Sequence, residues 1–192
     1  MPEKQAPKLY PQDYVVRAII LPFVPEFVQP NHITVVRMLM TPVILWLLWI
    51  GEYTWALPMF VLAALSDIVD GALARTRNAI TPWGIFFDPV ADKLLVGSVT
   101  LLVALRYFHP WLVFTALFLD MLPSIRWASG KFTGGVMMAN KWGKTKMVLQ
   151  CLALGSLLLG ITLGVPGLEV IGEYLFGASI AFAVIALATY SL

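Results

Sequence analysis

The chain has 192 residues, enough for one domain or two at most. Hydrophobic residues make up 59% and charged residues only 12%, about half the charged share of an ordinary soluble domain. This excludes a typical soluble protein; a net charge of +2 gives no reason to expect a nucleic-acid partner, and the single cysteine, Cys151, excludes an intrachain disulfide framework.

Residues 1–13 are polar and proline-rich, and the first apolar segment is broken by Pro22 and Pro25, so no cleavable signal peptide is expected. Residues 14–28 mix apolar side chains with Arg17 and prolines, too short and interrupted to span, and predict an interfacial amphipathic helix. Gln29-Pro30-Asn31 breaks it, and residues 33–50 form the first expected span. Gly51-Glu52-Tyr53 turns into a second span over about 55–75. A polar connection, 76–82, leads to a third helix over about 83–107, with Asp88 and Asp92 in its opening turns. His109-Pro110 turns, and the fourth helix covers about 111–127. Residues 129–146 read as a basic, glycine-containing loop that runs into a fifth helix ending near Leu163. Pro166-Gly167 turns into a sixth, about 170–190. The expected fold is all-α: a polytopic membrane protein with six transmembrane helices plus the N-terminal amphipathic helix. Residues 1–30 would be the interfacial segment and 31–192 the six-helix membrane catalytic domain. The chain stops at Leu192 without a polar tail, a pattern that a truncated chain would give.

Six spans put residues 1–30, 76–82 and 129–146 on one side of the membrane. That side carries Lys4, Lys8, Arg17, Arg77, Lys131, Lys141, Lys144 and Lys146, with Arg75 and Arg126 at its boundary. The opposite turns carry Glu52, Glu169 and Glu173, with only Arg106 close by. The asymmetry places the basic side, with both chain ends, in the cytoplasm, and topology alone accounts for most of these cations.

Four aspartates stand in the same greasy background: Asp67, Asp70, Asp88 and Asp92. A carboxylate near the bilayer centre costs roughly 2.5–3.5 kcal/mol, and four would cost on the order of 10 kcal/mol if left unpaired. The i, i+3 and i, i+4 spacings put each pair on one helix face, and consecutive antiparallel helices can bring the two faces together. A cavity open to the cytoplasm would lower the cost. Carboxylate oxygens suit hard divalent ions, Mg²⁺ or Mn²⁺. One such ion would leave a formal charge of −2 on the four carboxylates and two would neutralise them, which favours a two-metal site with ions roughly 3.5–4 Å apart. Gly71 and Ala74 would then serve either close helix packing or the approach of a ligand to the backbone. Arg75 would either snorkel or pair with a carboxylate, or clamp a phosphate.

The string Asp67-x2-Asp70-Gly71-x2-Ala74-Arg75-x8-Gly84-x3-Asp88-x3-Asp92 resembles the signature of the CDP-alcohol phosphotransferase family at every position and gap. Pro30-Asn31-x2-Thr34-x2-Arg37, ahead of the first span, is similar to the way such chains usually begin their membrane domain. The resemblance implies transfer of a phosphatidyl or related group from a CDP-linked donor to an acceptor alcohol, with release of CMP. It implies that Asp67, Asp70 and Asp88 bind two metal ions, Mg²⁺ or Mn²⁺, and that Asp92 shares the metal site and acts as general base. It places Thr34, Gly71, Ala74, Arg75 and Gly84 against the CDP donor. It further implies a cytoplasm-facing site in the cell membrane, surrounding membrane lipids and a homodimer.

Phe87-Asp88-Pro89-Val90-Ala91-Asp92-Lys93 resembles the phosphatidylglycerophosphate synthase branch and the related cardiolipin synthases. Asn140-Lys141-Trp142-Gly143-Lys144-x-Lys146 is similar to the same branch. Its lysines, Lys141 and above all Lys144, together with Arg126, are the candidates for holding an acceptor's phosphate. Where that branch usually carries Ala-Arg-Glu in the fourth helix, this chain reads Leu119-Asp120-Met121-Leu122-Pro123-Ser124-Ile125-Arg126. The donor the resemblance favours is CDP-diacylglycerol and the acceptor glycerol-3-phosphate, with phosphatidylglycerol or inositol phosphate as alternatives. A reading from another class is a divalent-cation or proton-coupled transporter, since membrane carboxylates often line ion pathways. Such proteins tend to show inverted repeats, and no second half mirrors these acids. Asp120 is expected to pair with Arg126 or to cap a kink at Pro123, or else to line the acceptor pocket. His32 and His109 lack metal-ligand spacing and should be interfacial.

Overall fold

The computed structural model describes residues 11–25, 27–128 and 141–190. Among them the chain is helical and contains no strand. In order come α1 (Pro11–Ile19), a 3-10 turn (Leu21–Phe23), α2 (Pro30–Trp49), α3 (Tyr53–Thr76) and α4 (Pro82–Val99). A π-helical turn (Thr100–Ala104), α5 (Leu105–Tyr107), α6 (Pro110–Ala128), α7 (Lys141–Leu163) and α8 (Pro166–Tyr190) follow. Helices α2, α3, α7 and α8 are long and apolar enough to cross a membrane, so the chain is a multi-pass membrane protein.

Local chemistry sets these boundaries. Helices α2, α4, α6 and α8 all open on proline, whose fixed φ and missing N–H suit the first helical position. Helices α2, α3 and α7 end on a left-handed residue: Gly51 at φ 84°, Asn78 at φ 50° and Gly164 at φ 66°. The next amide in each case reaches back to the last turn: Glu52 N to Leu47 O at 2.9 Å, Ala79 N to Ala74 O at 2.9 Å and Val165 N to Gly160 O at 2.9 Å.

Two expectations are modified. The third helix is not uniformly α-helical over 83–107, because its hydrogen bonds shift register in the π turn at Thr100–Ala104. Residues 141–146, expected in the basic loop, already form the first turns of α7; Gly143 suggested a loop but does not break the helix. The rest of that loop, 129–140, lies outside the described residues, as do Lys4, Lys8 and Lys131.

Packing divides the chain into two units. One comprises Met1–Trp46 and Pro58–Leu95, the other Leu47–Leu57 and Val96–Leu192. In the second unit α8 packs against both α7 and α6. Lys146 forms an ion pair with Asp120, and Gln150 Nε2 donates to Asp120 Oδ2 at 3.1 Å. Asp120 therefore ties α6 to α7 through Lys146; the expected pairing with Arg126 falls on a side chain outside the described residues. Gly172 lets α8 lie directly on α7. A Cβ there would sit 2.8 Å from the carbonyl oxygen of Ala153 and 3.3 Å from the amide nitrogen of Leu157. Backbone cannot swing aside as a side chain can, so Gly172→Ala should force the helices apart. We expect a loss of about 1–3 kcal/mol in stability, readable as a lower thermal midpoint in detergent; an unchanged midpoint would contradict the close approach.

In the first unit the helical period assembles one polar face. Thr34, Arg37, Thr41 and Ile44 are the buried stripe of α2. Phe60, Ala63, Asp67 and Asp70 recur along α3 at the same 3–4 spacing, and Gly84, Asp88, Ala91, Asp92 and Leu95 along α4. Arg77 fixes the adjoining loop, donating to the carbonyls of Val24 at 2.9 Å and Val28 at 2.9 Å.

Candidate active site

The site grows from three helix ends. Thr34 and Arg37 lie within the first two turns of α2, Asp67 and Asp70 within the last three of α3, and Asp88 and Asp92 in the second and third of α4. At about 1.5 Å of rise per residue, all six stand within roughly 15 Å of their helix ends.

Three of the four aspartates meet around one guanidinium. Arg37, whose side chain is 0% exposed, forms ion pairs with Asp70, with Asp92 and, at 2.9 Å, with Asp67. Asp88 is reached by another route: Thr34 Oγ1 donates to Asp88 Oδ1 at 2.7 Å and lies 3.4 Å from Asp70 Oδ2. The carboxylates differ in access. Asp70 is 3% exposed, Asp92 18% and Asp67 30%. Counting four carboxylates against Arg37 leaves a formal charge of −3 in a mostly buried cluster.

Gly84 closes the cluster's flank. A Cβ there would meet Asn31 Oδ1 at 3.2 Å, Thr81 Oγ1 at 3.3 Å and Asp88 Oδ2 at 3.4 Å. Thr81 Oγ1 donates to Asn31 Oδ1 at 2.9 Å and accepts from Gly84 N at 3.0 Å, so the start of α4 is stitched to the start of α2. Gly71 has a different neighbour: its Cβ would come within 3.2 Å of Arg75 Nη1. Arg75 itself turns to the N-terminal helix, where Nε and Nη2 donate to buried Asp13 at 2.8 and 2.7 Å. Of the two structural roles open to Arg75, snorkelling and carboxylate pairing, the structure selects the pairing.

Thus Thr34, Asp67, Asp70, Gly84, Asp88 and Asp92 come together, with Gly71, Ala74 and Arg75 following Asp70 on α3. Lys141 and Lys144 are exposed at the start of α7 in the other unit, and the side chain of Arg126 lies outside the described residues. Sequence reasoning gave Arg37 no role of its own, although a buried arginine in an apolar helix costs as much as the acids it serves. Asp13, Asn31 and Thr81 were also missed; nothing in a short polar residue near a helix start distinguishes a tether from a cap.

The donor set fits hard divalent ions. It is all carboxylate oxygen, and it is three charges short of neutral. Among the described residues no three Asp, Glu, His or Cys side chains close on a common metal position; the carboxylates close on Arg37 instead.

A multi-helix membrane protein with four converging aspartates at this spacing belongs to a defined class. The model of the CDP-alcohol phosphatidyltransferase family matches residues 27–189. The chain belongs to that family and is an enzyme, which sets aside the transporter reading. Among its relatives is the CDP-diacylglycerol–glycerol-3-phosphate 3-phosphatidyltransferase of Rickettsia typhi, 31% identical over 159 residues, or 75% of this chain and 84% of the relative. The protein of the same name from Bacillus subtilis is 30% identical over 147 residues, covering 68% and 76%. That from Pseudomonas fluorescens is 41% identical over 91 residues, covering 45% and 46%.

Proposed function

We propose that this enzyme transfers the phosphatidyl group of CDP-diacylglycerol to glycerol-3-phosphate and releases CMP. The observation that carries the reading is the convergence of Asp67, Asp70, Asp88 and Asp92 in one unit of a chain whose relatives bear that activity in their names.

Asp67, Asp70, Asp88 and Asp92 would hold two Mg²⁺ or Mn²⁺ ions. When bound, the ions supply charge neutralisation for the donor's diphosphate and for the CMP that leaves. Thr34 bridges Asp88 and Asp70 from α2 and, by the family resemblance, would lie against the donor. By the family resemblance Gly84, Gly71 and Ala74 would lie against the cytidine and diphosphate, and Arg75 would stand near a phosphate. Asp92 takes the proton of the acceptor hydroxyl as that oxygen bonds to the phosphatidyl phosphorus; the bond from phosphorus to the CMP oxygen breaks, and CMP leaves with the electron pair. The acceptor's phosphate is assigned to Arg126, Lys141 and Lys144.

The membrane reading extends the four long helices to six spans, adding the run from α4 through α5 and helix α6, with α1 lying in the interface. The basic loops put the site on the cytoplasmic side, and the enzyme works as a homodimer.

The test is CMP release from CDP-diacylglycerol vesicles with Mg²⁺ or Mn²⁺ and an acceptor panel of glycerol-3-phosphate, phosphatidylglycerol, inositol phosphate and serine. We expect release with glycerol-3-phosphate. Release with phosphatidylglycerol alone, or with inositol phosphate alone, would move the enzyme to another branch of the family.

A further inference from the structure

We infer that Arg37 is a tethered counter-cation that occupies the aspartate cluster before metal loading and competes with divalent ions for it. The inference rests on the reading of the aspartates as metal ligands and adds a residue that this reading does not use.

Two arginines of the same unit show the contrast. Arg75 meets Asp13 with the planar fork of Nε and Nη2, two bonds to one carboxylate, the arrangement in which guanidinium and carboxylate match. Arg37 does not. Its two terminal nitrogens are divided among Asp67, Asp70 and Asp92. Its Nε–H is buried and has no hydrogen-bond partner among the described residues. A fixed structural arginine so deeply buried should satisfy every donor, because an unmet one is costly. Arg37 instead sits where carboxylate charge is densest, at the expense of its own hydrogen bonds.

The charge balance gives the consequence. Without Arg37 the metal-free cluster would hold −4; with it the charge is −3. Once divalent ions arrive, the same guanidinium is a like charge at contact distance from their ligands and opposes binding. Asp67, Asp70 and Asp92 can turn to an ion only by giving up Arg37, whereas Asp88, bonded to Thr34, need not. Arg37 thus sets the metal affinity: it protects the empty site and makes loading reversible.

Mn²⁺ itself is the probe, titrated into the detergent-solubilised full chain and followed by its electron paramagnetic resonance signal. Arg37→Gln removes the charge and should bind Mn²⁺ at least ~10-fold more tightly than the wild type. Its thermal midpoint should be lower without metal and rise more steeply with it. Arg37→Lys keeps the charge but cannot divide it among three carboxylates, so its affinity should fall between the two. Equal or weaker Mn²⁺ binding by Arg37→Gln would overturn the inference and make Arg37 an organiser of the ligands. If Arg37→Gln does not fold, Arg37→Lys decides: an affinity at or below that of the wild type overturns it. No Mn²⁺ binding by any form would overturn the metal reading as well, which separates the two failures.

Discussion

Asp92→Asn is expected to lower CMP release by ~10²–10⁴-fold, the contribution typical of a positioned general base, and added metal should not restore it. The four carboxylates are not equivalent in their surroundings. Asp70 is nearly sealed and shared by Arg37 and Thr34, and Asp88 already accepts the Thr34 hydroxyl at 2.7 Å. Asp92 keeps 18% of its side chain exposed beside the guanidinium, which leaves it room to meet a hydroxyl. Asparagine preserves shape and the capacity to accept a hydrogen bond, but it cannot take the proton. It also removes one charge, and this second effect needs its own control. Asp67→Asn supplies it: Asp67 is the most exposed carboxylate on Arg37, and its loss changes the charge equally. A defect of charge alone should yield to higher Mg²⁺ or Mn²⁺, because the ion is bound more weakly but its role is unchanged. We therefore expect CMP release by Asp67→Asn to recover along a metal titration, while Asp92→Asn stays flat. Recovery of Asp92→Asn would make it a ligand only and leave the base unassigned.

The membrane character and the acid cluster were legible in the sequence because both follow from one-dimensional patterns. Apolar runs of spanning length fix the long helices, and spacings of three and four put two acids on one face. Pro82 and Pro110 stand one residue before the expected starts at 83 and 111, whereas Pro30 and Pro166, read as breaks, open helices expected to begin at 33 and about 170. The π turn at Thr100–Ala104 was not legible, since one shifted hydrogen-bond register leaves the apolar pattern intact. Nor were the partners of the charged side chains. Arg75 reaches across 62 positions to Asp13, and Arg37 across 55 to Asp92, and no local pattern encodes such pairs. Gly71 shows the limit most clearly. Its small size left helix packing and ligand approach both open, and the motif did not show that the atom nearest a Cβ there is Arg75 Nη1 of its own helix.

Chelation of divalent ions is expected to abolish binding of the CDP donor, and with it all turnover. This is a stronger expectation than loss of catalysis. The cluster carries −3 after Arg37 is counted, and the incoming diphosphate adds further negative charge. At an effective dielectric of 20, two unit charges about 5 Å apart repel by roughly 3 kcal/mol, so several such pairs outweigh what stacking and hydrogen bonds to one nucleotide supply. Arg37 is already divided among three carboxylates. Arg75, the cation proposed to face the donor, is engaged by Asp13 at 2.7–2.8 Å. Equilibrium binding of radiolabelled CDP-diacylglycerol to the full chain, with EDTA and after Mg²⁺ is restored, measures the effect directly. Binding that disappears with EDTA and returns with Mg²⁺ or Mn²⁺ is the expected result. Donor binding that persists in EDTA would mean that a protein cation neutralises the diphosphate, and Arg75→Gln would identify it: persistence lost in that variant would show Arg75 leaving Asp13 for the phosphate. The two outcomes assign the grip on the diphosphate to different charges, ions in the first case and a side chain in the second.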